Sequence, residues 1–122
     1  MKILLIEDEE DIRCIAGLGL ERIGGMEVIQ ASSGAEGIQK AADEKPDAIL
    51  LDVMMPLMDG PSTLAALQED PVTARIPVIF LTAQTLSSEK RHLKSLGATG
   101  VLTKPFDPLT LASQVRALLQ EA

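Results

Sequence analysis

Residues 48–60 read Ala-Ile-Leu-Leu-Asp-Val-Met-Met-Pro-Leu-Met-Asp-Gly. Ala48–Leu51 is apolar at every position and stops at an acid, Asp52. So short an unbroken apolar run, bounded by turn signals, reads as a strand buried on both faces. Pro56 and then Asp59-Gly60 impose a loop. A helix follows through roughly Asp70, closed by Pro71.

The same alternation extends outward in both directions. Upstream, Lys2–Ile6 reads as a buried strand and Glu9–Ile23 as a helix ended by Gly24-Gly25. That helix places Ile12, Ile15, Ala16, Gly19, Leu20 and Ile23 on one face. Cys14 lies within this apolar pattern and is expected to be a small buried hydrophobe. Glu27–Ala31 is a weaker strand. Ser33-Gly34-Ala35-Glu36 fits a capping box and starts a helix with Ile38, Ala41 and Ala42 inward, ended near Pro46. Downstream, Ile76–Leu81 reads as the fourth strand, Ser87–Leu96 as a polar helix closed by Gly97, and Gly100–Thr103 as the fifth strand. Asp107-Pro108 resembles an N-cap followed by proline at the first helical position. The last helix carries Leu111, Val115, Leu118 and Leu119 on one face and runs out near Glu121-Ala122.

Five strand–helix units in 122 residues suit a single α/β domain spanning residues 1–122. Right-handed crossovers between strands apolar on both faces give a parallel, doubly wound (βα)5 sheet in three layers. In such sheets chemistry lies outside the carboxyl ends of the strands.

Glu7 and Asp8 follow the first strand, Asp52 the third, Thr82 the fourth, and Lys104-Pro105 the fifth. Each has an ordinary reading alone. Acids before a helix serve as caps and dipole partners. Asp52 suits a turn, Thr82 a strand end, and Lys104 a solvated position. Together they bring three carboxylates, a hydroxyl and an ammonium to one sheet edge, the groups a phosphoryl site needs. Two carboxylates about 4 Å apart repel by roughly 4 kcal/mol at an effective dielectric near 20. One lysine does not neutralise three acids. The cluster must therefore hold a proton at raised pKa or bind a hard cation. Oxygen ligands without His or Cys point to Mg²⁺ or Mn²⁺.

These segments also carry a resemblance. Ile6-Glu7-Asp8-Glu9, Leu50 through Gly60, Leu81-Thr82-Ala83 and Lys104-Pro105-Phe106 match, in order and spacing, the receiver domains of two-component response regulators. The match covers essentially the whole chain. It implies a flavodoxin-like five-stranded sheet in order 2-1-3-4-5. It implies Asp52 as the residue that becomes an aspartyl phosphate, with Thr82 and Lys104 contacting the phosphoryl oxygens. Asp8, Asp52 and the backbone carbonyl of Met54 would ligate Mg²⁺ (or Mn²⁺), and Glu7 would act through metal-bound water. A cis Lys104–Pro105 bond is usual in the family. The implied partners are a sensor histidine kinase or histidine phosphotransfer protein and a downstream protein target. The module is a signalling switch, not an enzyme, that assists its own phosphorylation and dephosphorylation. The alternative is a receiver-like binding module independent of phosphorylation.

The sequence departs from the family at Val101, where many members carry an aromatic that swings inward on activation. Met54 and Gln84, which flank the site, offer no carboxylate to activate water, so the phosphate is not expected to be unusually short-lived. A dehalogenase-type phosphatase would need an acid at Met54. A flavodoxin would need a hydroxyl-rich loop where Glu7-Asp8-Glu9-Glu10 stands, and no glycine-rich nucleotide loop with Lys occurs.

Composition narrows the rest. A net charge of −7 and only two aromatics, Phe80 and Phe106, argue against direct nucleic-acid contact. No apolar run approaches the ~20 residues of a membrane span. The apolar start is too short for a signal peptide and meets Glu7-Asp8-Glu9-Glu10 at once. With a single cysteine, the expected location is cytoplasmic. His92 and the basic cluster Lys90, Arg91 and Lys94 read as an exposed helix face, and Met54, Met55 and Met58 as packing. The sequence leaves open whether the chain stands alone or belongs to a longer protein.

Overall fold

The computed structural model of the chain describes residues 1–120; Glu121 and Ala122, where the last helix was expected to run out, lie outside them. Five parallel strands form one sheet in the order β2-β1-β3-β4-β5. They are β1 (Lys2–Ile6), β2 (Glu27–Ala31), β3 (Ala48–Asp52), β4 (Val78–Thr82) and β5 (Gly100–Thr103). The helices between and after them are α1 (Glu10–Leu18), α2 (Gly34–Glu44), α3 (Gly60–Glu69), α4 (Ser87–Ser95) and α5 (Leu111–Gln120).

Strand residues of alternate parity feed two cores. Ile3, Leu5, Leu50, Ile79 and Leu81 pack with Ala16, Leu20, Leu111, Ala112 and Val115 of the α1/α5 layer. Leu4, Ile6, Ile49, Leu51 and Phe80 pack with Ala41, Leu64, Leu67 and Leu93 of the α2/α3/α4 layer. Every one of these strand side chains is fully buried. Burial of each stabilises the fold by roughly 1.5–3 kcal/mol. This double-sided burial is why the three central strands, after Lys2 at the start of β1, carry no polar residue before their carboxyl ends.

Five expectations need correction. Cys14 is exposed. It lies two residues, about 200° of helical turn, from the buried Ala16. Ile15 is half-exposed, and Ile23 is 56% exposed. Past Leu18 the helix widens to a π-type segment, Gly19–Ile23, with Gly24 N–H donating to Gly19 O at 3.1 Å. The extra residue per turn rotates Ile23 off the inner face while Leu20 stays buried. The fourth strand begins at Val78, not Ile76. Pro77 lacks an N–H, and Ile76 belongs to a turn in which its N–H donates to Thr73 O at 3.1 Å. The last helix begins at Leu111. Asp107 instead makes a preceding turn, its Oδ1 accepting from Leu109 N–H at 2.9 Å. Met54 is not packing; it is 77% exposed on the loop after β3.

The capping box forms in shifted form. Ser33 Oγ accepts from Glu36 N–H at 3.1 Å, and Glu36 Oε1 accepts from Ser32 N–H at 2.5 Å. Asp59 caps α3 by accepting from Ser62 N–H at 2.8 Å. His92 is exposed, as expected.

Candidate functional site

The parallel register brings the carboxyl ends of the strands level. Ile6 pairs with Leu51, Asp52 with Leu81, and Thr82 with Thr103. The next residues out are Glu7, Asp8 and Lys104, so the loops that carry them open on the same edge. Backbone hydrogen bonds extend the ladder past the strands: Glu7 N–H to Ala31 O at 3.0 Å, Val53 N–H to Leu81 O at 3.0 Å, and Lys104 N–H to Thr82 O at 2.7 Å. Gly60 N–H donates to Val53 O at 2.8 Å and folds the loop after Asp52 back on itself. A Cβ at position 60 would lie 2.6 Å from the Asp52 carbonyl oxygen, so this closure requires glycine.

Lys104 Nζ sits between two acids, 2.7 Å from Glu7 Oε1 and 2.9 Å from Asp52 Oδ1. Glu7 is 0% exposed and Asp52 is buried. Carboxylate oxygens of Glu7, Asp8 and Asp52 all lie within 4.8 Å of one another. Thr82 is buried at the neighbouring strand end, with its Oγ1 accepting from Gln84 N–H at 3.0 Å. The hydroxyl hydrogen stays available for donation. The Lys104–Pro105 peptide is cis.

Burial drives Glu7 up to about 8 from an ordinary 4.5. The hydrogen bond and charge of Asp52 push the same way, and Lys104 opposes them. Burial works against the Lys104 charge, but hydrogen bonds to Glu7 and Asp52 outweigh it and hold its pKa above the usual value.

Two buried carboxyl oxygens, Glu7 Oε2 and Asp8 Oδ1, have no hydrogen-bond partner among the described residues. Orphaned buried oxygens are costly. A hard cation among these three acids would satisfy both, and an all-oxygen donor set fits Mg²⁺ or Mn²⁺. The residues present therefore fit such an ion.

Sequence reasoning missed two contributors. Arg13 on α1 donates from Nη1 to the Glu7 carbonyl at 2.8 Å and so pins the loop carrying Asp8. Its place, six residues beyond Glu7, gave no motif to find it by. The direct Glu7–Lys104 pair was also unforeseen, since it joins residues 97 positions apart. Nothing in the hydrogen bonding places Met54 in the cluster beyond its position two residues after Asp52.

A family model described as the response regulator receiver domain matches residues 3–116. The chain belongs to this family. Accepting a phosphoryl group is the general role of receivers, which act as signalling switches in two-component systems, and no enzyme family is indicated. The chain is 40% identical over 121 residues to the alkaline phosphatase synthesis transcriptional regulatory protein PhoP of Bacillus subtilis, covering 99% of this chain and 49% of that protein. It is 36% identical to the phosphate regulon transcriptional regulatory protein PhoB of Pseudomonas aeruginosa, covering 97% of this chain and 51% of that one. Among solved structures, the chemotaxis response regulator CheY4 of Vibrio cholerae superposes with a TM-score of 0.88 at 34% identity, over 96% of this chain and 97% of that one.

The chain spans about half the length of the curated relatives it matches. Those relatives are named transcriptional regulators, so the acidity that argues against nucleic-acid contact speaks for these 122 residues alone. Among the described residues, no helix is long and apolar enough to cross a membrane.

Proposed function

We propose that residues 1–122 form one receiver module in which Asp52 accepts a phosphoryl group from a histidine kinase or histidine phosphotransfer protein. One observation carries this: Lys104 bridges Glu7 and Asp52 beside buried carboxylate oxygens that lack partners. Glu7, Asp8, Asp52 and the Met54 carbonyl would hold Mg²⁺ (or Mn²⁺), Glu7 through a water. When bound, the ion supplies positive charge against the phosphoryl oxygens.

The chain's own groups account for the rest. An Asp52 carboxylate oxygen attacks phosphorus, the P–N bond of the phosphohistidine breaks, and the imidazole leaves with the bonding pair and takes up a proton. The Lys104 ammonium turns from its carboxylate partners to the phosphoryl oxygens, and the Thr82 hydroxyl donates its free hydrogen to one of them. Adding charge at Asp52 and drawing in Thr82 and Lys104 shifts the ends of β4 and β5. A downstream protein target reads that shift on the face made by α4, β5 and α5. With Val101 at the aromatic switch position, the coupling runs through Thr82 and the β4–α4 loop.

Incubation with acetyl phosphate and Mg²⁺, followed by intact mass measurement, tests the reading. One added phosphoryl group per chain is expected, and none for Asp52→Asn. Equal labelling of both proteins would overturn the assignment, and absence of labelling in both would favour a phosphorylation-independent binding module.

A further inference from the structure

One side chain of α1 is committed to the loop that carries Glu7 and Asp8. The Cα–Cβ bond of a helical residue tilts toward the helix N-terminus, so a long side chain at position 13 runs back over the first turn. Arg13 is half-buried there, and its Nη1 donates to the Glu7 carbonyl at 2.8 Å. From the other side, Glu7 N–H donates to Ala31 O at the end of β2, at 3.0 Å. Both main-chain polar groups of Glu7 are therefore held. Glu9, at the N-cap of α1, makes no side-chain cap. Arg13 supplies the tie between helix and loop that a cap ordinarily gives.

The Glu7 carbonyl belongs to the peptide plane that also fixes the Cα of Asp8. A guanidinium holding this carbonyl thus orients the Asp8 side chain without touching it. Asp8 Oδ1 is buried and has no hydrogen-bond partner among the described residues. The guanidinium has a second neighbour in Glu36 of α2. The Ser32 N–H does most to lower the Glu36 carboxyl, and the Arg13 charge adds a smaller push the same way. Arg13 therefore spans from the β2–α2 turn to the loop after β1. Mg²⁺ demands near-octahedral ligands at about 2.0–2.1 Å, whereas Ca²⁺ accepts a larger and looser shell. A small displacement of one carboxylate therefore penalises Mg²⁺ more than Ca²⁺.

We propose that Arg13 is a positioning residue for the cation site: its hold on the Glu7 carbonyl sets the Asp8 carboxylate for a small octahedral ion. The inference rests on the ion site of the proposed function and adds the residue that tunes its selectivity. Charge and position act here with opposite sign, which separates them. A neighbouring cation repels Mg²⁺, so removing the guanidinium would tighten ion binding if charge were its whole contribution. Loss of position weakens binding instead. Outer partners that orient a metal ligand are worth about ten- to a hundredfold in affinity.

The test is amide NMR on the isotopically labelled chain, titrated separately with Mg²⁺ and Ca²⁺. In the parent, saturable shifts are expected at Glu7, Asp8 and Asp52. Arg13→Met should weaken Mg²⁺ binding about tenfold and Ca²⁺ binding less than about threefold. Arg13→Gln, polar but shorter, should give the same pattern, so the test does not depend on one variant folding. Arg13→Lys, which keeps a donor of similar reach, should recover much of the Mg²⁺ affinity. Unchanged or tighter Mg²⁺ binding by the Met and Gln variants would overturn the role. So would equal losses for the two ions, the mark of a general loosening of the fold. The two readings fail differently. A parent chain that binds neither ion overturns the ion site and this inference with it, whereas a parent that binds Mg²⁺ with no response to position 13 overturns the inference alone.

Discussion

The molecule holds two charge clusters of opposite sign and opposite environment. Glu7, Asp8, Asp52 and Lys104 are crowded into a largely buried edge, where three acids face one base. Lys90, Arg91 and Lys94 lie along one helix beside an apolar cavity, Arg91 and Lys94 exposed and Lys90 partly buried. In the first cluster charge is costly, so burial pushes Glu7 up, Lys104 pairs closely with two acids, and carboxylate oxygens are left for a cation. In the second, water carries the cost, and none of the ion pairs among the described residues uses these charges. Position relative to the sheet makes the difference, because strand ends bring residues distant in sequence together within a low dielectric, whereas a helix surface does not.

The sharpest way to break the comparison is Asp52→Asn, which should abolish phosphoryl acceptance entirely, measured by intact mass after incubation with acetyl phosphate and Mg²⁺. Lys104→Met comes next. It leaves Asp52 buried without its ammonium partner and should destabilise the metal-free protein by about 3 kcal/mol in urea unfolding, with saturating Mg²⁺ restoring much of the loss. Phosphorylation of this variant should slow about a hundredfold.

The central strands, the helix order and the edge positions of Glu7, Asp8, Asp52, Thr82 and Lys104 were legible because strands buried on both faces leave short unbroken apolar runs that end abruptly in polar residues. Helix faces were less so. A fixed 3.6-residue period placed Ile23 inward, and nothing in Gly19–Ile23 announces a π-type segment. Cys14 was misplaced because a small apolar-like residue in an apolar pattern says little about direction. Met54 was misread because hydrophobicity does not report burial in a loop. The Glu7–Lys104 pair and the Arg13 hydrogen bond depend on side-chain reach across the fold, which no local spacing encodes.

Acid titration gives a subtler break. Folded Glu7 holds its proton up to about pH 8, whereas the unfolded chain releases it near 4.5. The unfolded state therefore binds fewer protons between those values, and metal-free stability should fall as pH rises from 4.5 toward 8. The loss should be on the order of a few kcal/mol, and Glu7→Gln should flatten it. Glu36 acts in the opposite sense. The Ser32 N–H lowers its pKa, so its contribution is present above its unfolded value of 4.5 and fades as pH falls below it. Stability against pH, with and without Glu7→Gln, separates the two.

Gly60→Ala crowds the Asp52 carbonyl and should cost about 1–3 kcal/mol of stability, read in the same urea experiment. The smallest effect belongs to the basic rim. Lys90→Glu with Lys94→Glu should change stability by less than about 0.5 kcal/mol per site and leave the acetyl phosphate reaction rate unaltered. A large loss of stability there would show that the two clusters do not differ as argued.

The most direct measurement reads the acceptor atom itself. An aspartyl phosphate is an acyl phosphate, and borohydride reduces it to homoserine. After incubation with acetyl phosphate and Mg²⁺, reduction and peptide sequencing should find homoserine at position 52, and none there when Mg²⁺ is chelated. Homoserine at Asp8 or Asp59 instead, or labelling at position 52 that ignores the metal, would contradict the account.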